Sequence, residues 1–175
     1  QIVTGLDVLT TRSIRTVVAF GDSITAGSTE ATSGAYPDML ATRLRDTRPA
    51  GQDVAVLNAG IGGNRLLSDG VGPSGLSRFE LDALRQSGVT HAIVLLGTND
   101  MKPVVAGSAF AACQGISRLV RLIRNHAWPF EFDGPEILIV APPAICATGN
   151  VPFAASFPGG IEESAKLATL YRDLA

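Results

Sequence analysis

A chain of 175 residues fits one domain, and its 46% hydrophobic and 17% charged residues supply a core and exclude a disordered chain. The formal net charge of -2 gives no basic field for holding a phosphate backbone, so nucleic acid is excluded as an expected partner. No run reaches the roughly 18 apolar residues that a membrane helix needs, so no membrane partner is expected.

The start of the chain lacks a hydrophobic period. Residues 1–15 are predicted to form an extended lead-in, followed by one domain over residues 16–175. The first residue is Gln1 rather than methionine, which favours trimming and release from a larger, secreted bacterial protein.

Cys113 and Cys146 are too few for a disulfide framework, and we expect two separate core residues. No Cys/His cluster has metal-ligand spacing, so no metal or other cofactor is implied.

Four short runs after the lead-in are apolar almost throughout, as expected of parallel strands that are covered on both faces. The predicted strands are Val17–Phe20, Val54–Asn58, Ala92–Leu96 and Ile137–Ala141. Between and after these strands, apolar residues recur at helical spacing. The predicted helical stripes are Tyr36, Leu40 and Leu44; Leu76, Phe79 and Ala83; Phe110, Cys113, Ile116, Val120 and Ile123; and Leu167, Leu170 and Leu174. The alternation predicts an α/β fold, a three-layer α/β/α sandwich around a mainly parallel sheet.

Polar turns follow three of the four predicted strands. This position matters because open parallel sheets bind ligands outside the carboxyl ends of their strands. After the first strand, glycines at both ends of residues 21–27 allow a tight turn that exposes the Ser23 hydroxyl near a helix start. Taken alone, this segment is an ordinary turn in which Asp22 or Ser23 caps a helix.

The turns after the second and third strands carry hydrogen-bond donors. Three glycines within residues 60–63 permit close approach of the backbone to a ligand, and their N–H groups can donate to an oxyanion. Asn99, within residues 97–100, can donate its amide hydrogens into the same cleft. Each segment alone is consistent with a simple turn. Together, however, the three turns supply a nucleophile, backbone donors and a side-chain donor in one crevice.

This combination, in this order, resembles the SGNH (GDSL-family) hydrolases. The matching motifs are the GDS block at Gly21-Asp22-Ser23 within Phe20–Gly27, the glycine block at Asn58–Gly63 and the GxND block at Gly97–Asp100. Two further stretches, Asn64–Leu67 and Val140–Pro143, are similar to bacterial arylesterase-like members. The resemblance covers nearly the whole chain from Val17 onward.

The resemblance implies a flavodoxin-like SGNH hydrolase fold and a serine ester hydrolase. Its expected partner is a small-molecule ester, with an aryl or short-chain acyl group, and it implies no cofactor. Residue by residue, Ser23 is the nucleophile and its own N–H is one oxyanion donor. The N–H of Gly63 is the second donor, and the side-chain amide of Asn99 is the third. Asp22 is expected to shape its turn, and Asp100 to fix its loop by local hydrogen bonds.

The general base of the family, a histidine in a late Asp-x-x-His block, has no counterpart in this sequence. A serine hydroxyl needs such a base. His91 begins the third predicted strand and His126 precedes the fourth, so both lie at the amino edge of the sheet, about 15–20 Å from the polar turns. We therefore reject both as the base. The sequence is expected to be incomplete at its C-terminus, with the last strand, the acid-base block and the closing helix missing.

A chain shortened in this way would leave the fourth strand and the last helix partly uncovered. We therefore expect either a companion C-terminal fragment or self-association into a homo-oligomer, with low activity of this chain alone. The alternative function is a catalytically inactive ester- or carbohydrate-binding module on the same fold. A flavodoxin-like phosphate binder using Gly60–Gly63 is disfavoured, because the run lacks a Walker pattern and a lysine at its end.

Overall fold

The fold is a parallel sheet with flanking helices, seen in a computed structural model that describes residues 7–11, 14–27, 34–128 and 132–174. Within these ranges the sheet has four strands in the order β2-β1-β3-β4, and every neighbouring pair is parallel. The strands are β1 (Arg15–Gly21), β2 (Val54–Gly60), β3 (Val89–Leu95) and β4 (Glu136–Ile139). The predicted fold class is confirmed, and each of the four predicted strands is present with shifted ends.

Helices occupy the connections between the strands. They are α1 (Ser23–Ala26), α2 (Tyr36–Thr47), α3 (Gly75–Phe79), α4 (Ala109–Asn125), α5 (Val151–Ala155), α6 (Gly160–Ser164) and α7 (Leu167–Arg172). A π-helical turn at Glu80–Leu84 continues α3, and a 3₁₀ turn at Asn99–Met101 follows β3. Several helices begin at a polar side chain that accepts a backbone N–H of the first turn, as Asp22 does for α1, Ser74 for α3 and Ser108 for α4.

The core lies around the two central strands, β1 and β3. Phe20 on β1 is fully buried and packs edge-to-face on Phe79 of α3, with ring centroids 4.8 Å apart. The predicted stripe of α4 contributes Ile116 and its neighbours to the same core, but Phe110 is 65% exposed. Phe110 belongs to the first turn of the helix, and its side chain falls outside the buried face.

The two edge strands are only half buried. β4 pairs with β3 on one side, and no other described segment pairs with its second side. Leu138 of β4 is 57% exposed beside an open groove of about 350 Å³ between β4, α4 and α7. The companion fragment or second copy that the sequence analysis expects at this edge stays a prediction.

Other expectations concern the lead-in, the cysteines and the membrane. Residues 7–11 are exposed and form neither helix nor strand, while the rest of the lead-in before β1 lies largely outside the described residues. Cys113 and Cys146 are separate free thiols, as predicted; Cys113 is buried, but Cys146 is exposed because it follows β4 in an irregular surface segment. Across the described ranges, no helix has both the length and the apolar character needed to span a membrane.

Candidate active site

The turn that carries Ser23 joins β1 directly to α1. β1 ends at Gly21, and buried Asp22 caps the helix, because its Oδ1 accepts the N–H of Ile24 at 2.9 Å. Ser23 is the first residue of α1 and is exposed. Its backbone N–H has no acceptor among the described residues. The turn therefore presents a hydroxyl and a free N–H side by side at the carboxyl end of β1. Asp22 shapes this turn, as the sequence analysis expects.

Gly60 lets the Ser23 turn and the end of β2 lie against each other. A Cβ at Gly60 would overlap the backbone of Ala26, so only glycine fits between β2 and α1. The loop that follows is bonded to the end of β1, since the N–H of Ile61 donates to the carbonyl of Gly21 at 3.1 Å. Gly63 has φ +72°, in the left-handed region that favours glycine. Its N–H also has no acceptor within the described part of the chain.

Asn99 connects the two loops. Its side chain is 6% exposed, and Nδ2 donates to the backbone carbonyl of Asn64 at 3.1 Å and to Oδ2 of Asp22 at 3.3 Å. Asn64 follows Gly63, and Asp22 precedes Ser23. The structure therefore brings all three residues of the predicted site, Ser23, Gly63 and Asn99, to one end of the sheet. Both Nδ2 hydrogens already have an acceptor, and the contact to Asp22 is the longer of the two.

Two buried carboxylates lie under the site. Asp100 is 2% exposed, and the N–H of Leu66 donates to its two oxygens at 3.0 and 3.2 Å. Burial raises the pKa of Asp100 to about 6, and the nearby charge of Asp22 adds to this rise. Burial also raises the pKa of Asp22. Asp100 makes local hydrogen bonds through its backbone, as expected, since its N–H donates to the carbonyl of Gly97 and its carbonyl accepts the N–H of Gly107. Its side chain also accepts the distant N–H of Leu66 and so connects the segment after the glycine loop to the turn after β3.

The raised pKa of Asp100 predicts a pH-dependent stability. Because the folded pKa of about 6 lies above the ordinary aspartate pKa of 3.8, this group stabilises the fold below about pH 4, and that contribution is lost as pH rises through 6. We expect Asp100→Asn, which cannot ionise, to lack this dependence. Relative to the native chain, its free energy of unfolding should gain about 2 kcal/mol between pH 4 and pH 7.5.

Urea unfolding followed by the fluorescence of Trp128 at both pH values measures this difference. Asp46→Asn is the matched control, since Asp46 is exposed on α2 and, among the described residues, pairs only with the neighbouring Arg45. Parallel pH curves for Asp100→Asn and the native chain would show that Asp100 is not the titrating group.

Sequence reasoning missed Arg78 and Asn64. Arg78 lies on α3 with 5% exposure, and its guanidinium donates to Oδ1 of Asn64 from both Nε and Nη2. Asn64 is 2% exposed and anchors the glycine loop, because its Nδ2 donates to the carbonyl of Pro73 at 2.8 Å. The sequence offered no signal for the burial of Arg78, because this residue lies outside the predicted stripe of Leu76, Phe79 and Ala83 and one helical turn before the charged Asp82.

The two histidines lie away from the site, as the sequence analysis expects. His91 is level with Val17 of β1 and with Glu136 of β4, and its Nε2 lies 3.9 Å from a Glu136 oxygen. Gly21 is four residues further along β1, about 13 Å at the usual rise of a strand. His126 ends α4 and stacks on Trp128 with ring centroids 4.4 Å apart. In the described ranges, no cluster of three His, Cys, Asp or Glu side chains could hold a metal ion.

Comparison with known proteins agrees with this geometry. The family model of the GDSL-like Lipase/Acylhydrolase family matches residues 19–175. Among solved structures, a carbohydrate acetylesterase family member from Sinorhizobium meliloti is 39% identical with a TM-score of 0.78, and the alignment covers 92% of this chain and 78% of that one. The aryl esterase of M. smegmatis is 26% identical with a TM-score of 0.76, covering 92% and 79%.

A third solved structure, AlinE4, is described as an SGNH-hydrolase family esterase; it is 26% identical with a TM-score of 0.61, covering 92% of this chain and 70% of that one. A search of curated proteins gave no match. The family match spans all three polar turns, from the end of β1 to the last described helix. The chain therefore belongs to the GDSL-like lipase/acylhydrolase family, the SGNH hydrolases, and is an ester hydrolase of that family.

Proposed function

We propose that the chain hydrolyses small carboxylic esters through an acyl-enzyme formed on Ser23. One observation carries this proposal: Asn99 joins the turn of Ser23 to the loop of Gly63, so that an exposed hydroxyl and two backbone N–H groups with no acceptor in the described ranges lie at the same end of the sheet. Such an arrangement is suited to acyl transfer, because it offers a nucleophile and donors for the developing oxyanion in one place.

The reaction then runs in two halves. Oγ of Ser23 attacks the carbonyl carbon while its proton passes to a general base, and a tetrahedral oxyanion forms. Collapse of this oxyanion breaks the ester C–O bond, and the leaving alcohol takes the proton from the base. Water then attacks the acyl-enzyme with the same base as proton acceptor. The products are the free acid and Ser23 with its hydroxyl restored.

Three groups would hold the oxyanion: the N–H of Ser23, the N–H of Gly63 and the side-chain amide of Asn99. The two backbone groups have no competing acceptor within the described residues. The amide of Asn99 would have to release the 3.3 Å contact to Asp22 and turn that hydrogen towards the substrate. This contact is the longer of its two, and Asp22 keeps the N–H of Ile24 as a donor.

The general base would be a histidine of an Asp-x-x-His segment that is not among these 175 residues. His91 and His126 are poor candidates, since both lie at the opposite end of the sheet from Ser23. The alignments leave about a fifth of the two named esterases from S. meliloti and M. smegmatis unmatched, which is room for such a segment. The uncovered edge of β4 offers a place for it to pair.

We infer the substrate class from the relatives. The similar proteins are described as a carbohydrate acetylesterase and an aryl esterase. The first description names an acetyl ester and the second an aryl ester. We therefore assign this chain short-chain acyl esters of aryl or sugar alcohols as substrates.

The test is the intact mass of every polypeptide in a purified sample, combined with turnover of p-nitrophenyl acetate and a Ser23→Ala control. Turnover lost in the control, together with a second polypeptide that carries Asp-x-x-His, would support the proposal in full. A single 18.2 kDa species without turnover above the control would favour the ester- or carbohydrate-binding module instead.

The histidines give a separate prediction. We expect the double variant His91→Ala/His126→Ala to keep kcat/KM for p-nitrophenyl acetate within about twofold of the native enzyme, because neither ring reaches Ser23. In both proteins, kcat/KM should decrease as the pH is lowered below about 6.5, as expected when a histidine elsewhere is the base. Loss of turnover or of this pH profile in the double variant would assign the base to one of these two histidines.

A further inference from the structure

Arg78 carries a buried charge at the carboxyl end of the sheet. Its guanidinium lies over the ring of Phe20, with Cζ 3.9 Å from the ring centroid. The only described carboxylate in an ion pair with it is Asp82, one helical turn further along and one-third exposed, with Nη1 to Oδ2 at 3.0 Å. Burying a charge costs free energy unless the group is fully hydrogen-bonded. The hydrogen-bond partners of Arg78 therefore indicate its role.

All five N–H groups of the guanidinium have acceptors, and four of the five hydrogen bonds reach Asn64 or the carboxyl ends of β1 and β2. Nη2 donates to the carbonyl of Gly21 at 2.9 Å, and Nη1 donates to the carbonyl of Ala59 at 2.8 Å. The remaining two go to Oδ1 of Asn64, from Nη2 at 2.9 Å and from Nε at 3.1 Å.

These acceptors flank the groups that act on the ester. The carbonyl of Gly21 lies at the start of the turn that presents Ser23, and Asn64 directly follows Gly63. The backbone carbonyl of Asn64 in turn accepts the amide of Asn99. One planar group therefore sets the distance between the nucleophile, the backbone donor of the glycine loop and the side-chain donor.

We propose that Arg78 is a positioning residue that holds the Ser23 turn, the glycine loop and Asn99 in the relative positions that catalysis requires. This inference rests on the proposed function of the site. Arg78 does not touch the substrate; it acts through the two carbonyls and through Asn64. Lysine cannot replace it, because an ammonium group has three donors and lacks the planar fork that reaches all three acceptors at once.

The test compares Arg78→Lys with Asp82→Asn. Arg78→Lys should lower kcat for p-nitrophenyl acetate by about 10- to 100-fold, since misplacement of reacting groups by about 1 Å has an effect of this size. KM should stay within about twofold, because ground-state binding of the small ester does not depend on the register of the donors. Asp82→Asn keeps an acceptor for Nη1 and leaves the four bonds to the site, so its kcat should stay within about twofold.

Backbone hydrogen exchange, read by mass spectrometry, gives a second readout that needs no turnover. In Arg78→Lys, protection should fall in peptides covering residues 21–27 and 60–66, while α4 and β3 keep theirs. Unchanged exchange at these two loops, or a loss spread evenly over the sheet, would overturn the proposal. So would an unchanged kcat in the folded variant.

The two proposals fail separately. If the native protein shows no turnover above Ser23→Ala, the proposed ester hydrolysis fails. The exchange measurement then decides the role of Arg78 alone: local loss at the two loops supports it, and unchanged or uniform exchange overturns it. Chemical rescue adds a check when turnover is present, because guanidinium ion should restore part of kcat to Arg78→Ala while methylammonium should not.

Discussion

With the proposed Asp-x-x-His segment present, replacing Ser23 by alanine is expected to reduce kcat/KM for p-nitrophenyl acetate by about 10⁴-fold or more. The variant keeps the backbone N–H groups, but it has no oxygen to form the acyl-enzyme, and losses of this size are found when a nucleophile is removed. Ser23 is exposed at the start of a four-residue helix, so the loss of its hydroxyl removes no packing. The free energy of unfolding should therefore stay within about 0.5 kcal/mol of the native value.

Ser87→Ala is the matched control for this experiment. Ser87 is also exposed, but it precedes β3 and so lies at the opposite end of the sheet. Its backbone carbonyl accepts the hydroxyl of Thr16, and this bond does not involve the Ser87 side chain. Its kcat/KM should equal that of the native protein. Retention of a tenth or more of native turnover in Ser23→Ala would assign the nucleophile to another residue.

Asn99→Ala is expected to lower kcat by about 10²- to 10³-fold with little change in KM. The oxyanion exists only in the transition state and the tetrahedral intermediate, so the loss of one of its donors affects kcat. The same change also removes the hydrogen bonds to the carbonyl of Asn64 and to Oδ2 of Asp22. A fall of about 1–3 kcal/mol in the free energy of unfolding should accompany it.

Steady-state kinetics at a temperature well below the midpoint of thermal unfolding separate the effect of Asn99→Ala on kcat from its effect on stability. Asn125→Ala removes the same side chain from an exposed position at the end of α4, and it should change neither kcat nor KM. A rise in KM at constant kcat would mean that Asn99 binds the ground-state ester and is no oxyanion donor.

The fold could be predicted because its signals are local. Each strand is a short apolar run and each long helix has a stripe, so the alternation alone indicates a parallel α/β sheet. The apolar runs do not indicate which strands are central in the sheet. Val18 and Leu138 stand in equally apolar segments, yet Val18 is fully buried on β1 and Leu138 is more than half exposed on β4. Strand order depends on contacts between distant segments, and the composition of one segment does not record it.

The candidate site was predictable to the extent that it follows strand ends. Ser23, Gly63 and Asn99 each come shortly after a strand, and parallel strands bring their carboxyl ends to one edge. The supporting bonds were not predictable. Arg78 belongs to a helix between strands, and its partner Asn64 is 14 residues away. Only local hydrogen bonds were expected of Asp100, but its side chain accepts the backbone N–H of Leu66, 34 residues away. Such pairs need the tertiary fold before they can be seen.

The central claim is that an acyl-enzyme forms on Ser23. Its most direct test is to quench the native protein during turnover of p-nitrophenyl acetate and to map the acetyl group by peptide mass spectrometry. We expect one acetyl group, on the peptide that contains Ser23, which disappears as the substrate is exhausted. Turnover with no acetyl group at Ser23, or with a transient acetyl group at another side chain, would contradict it.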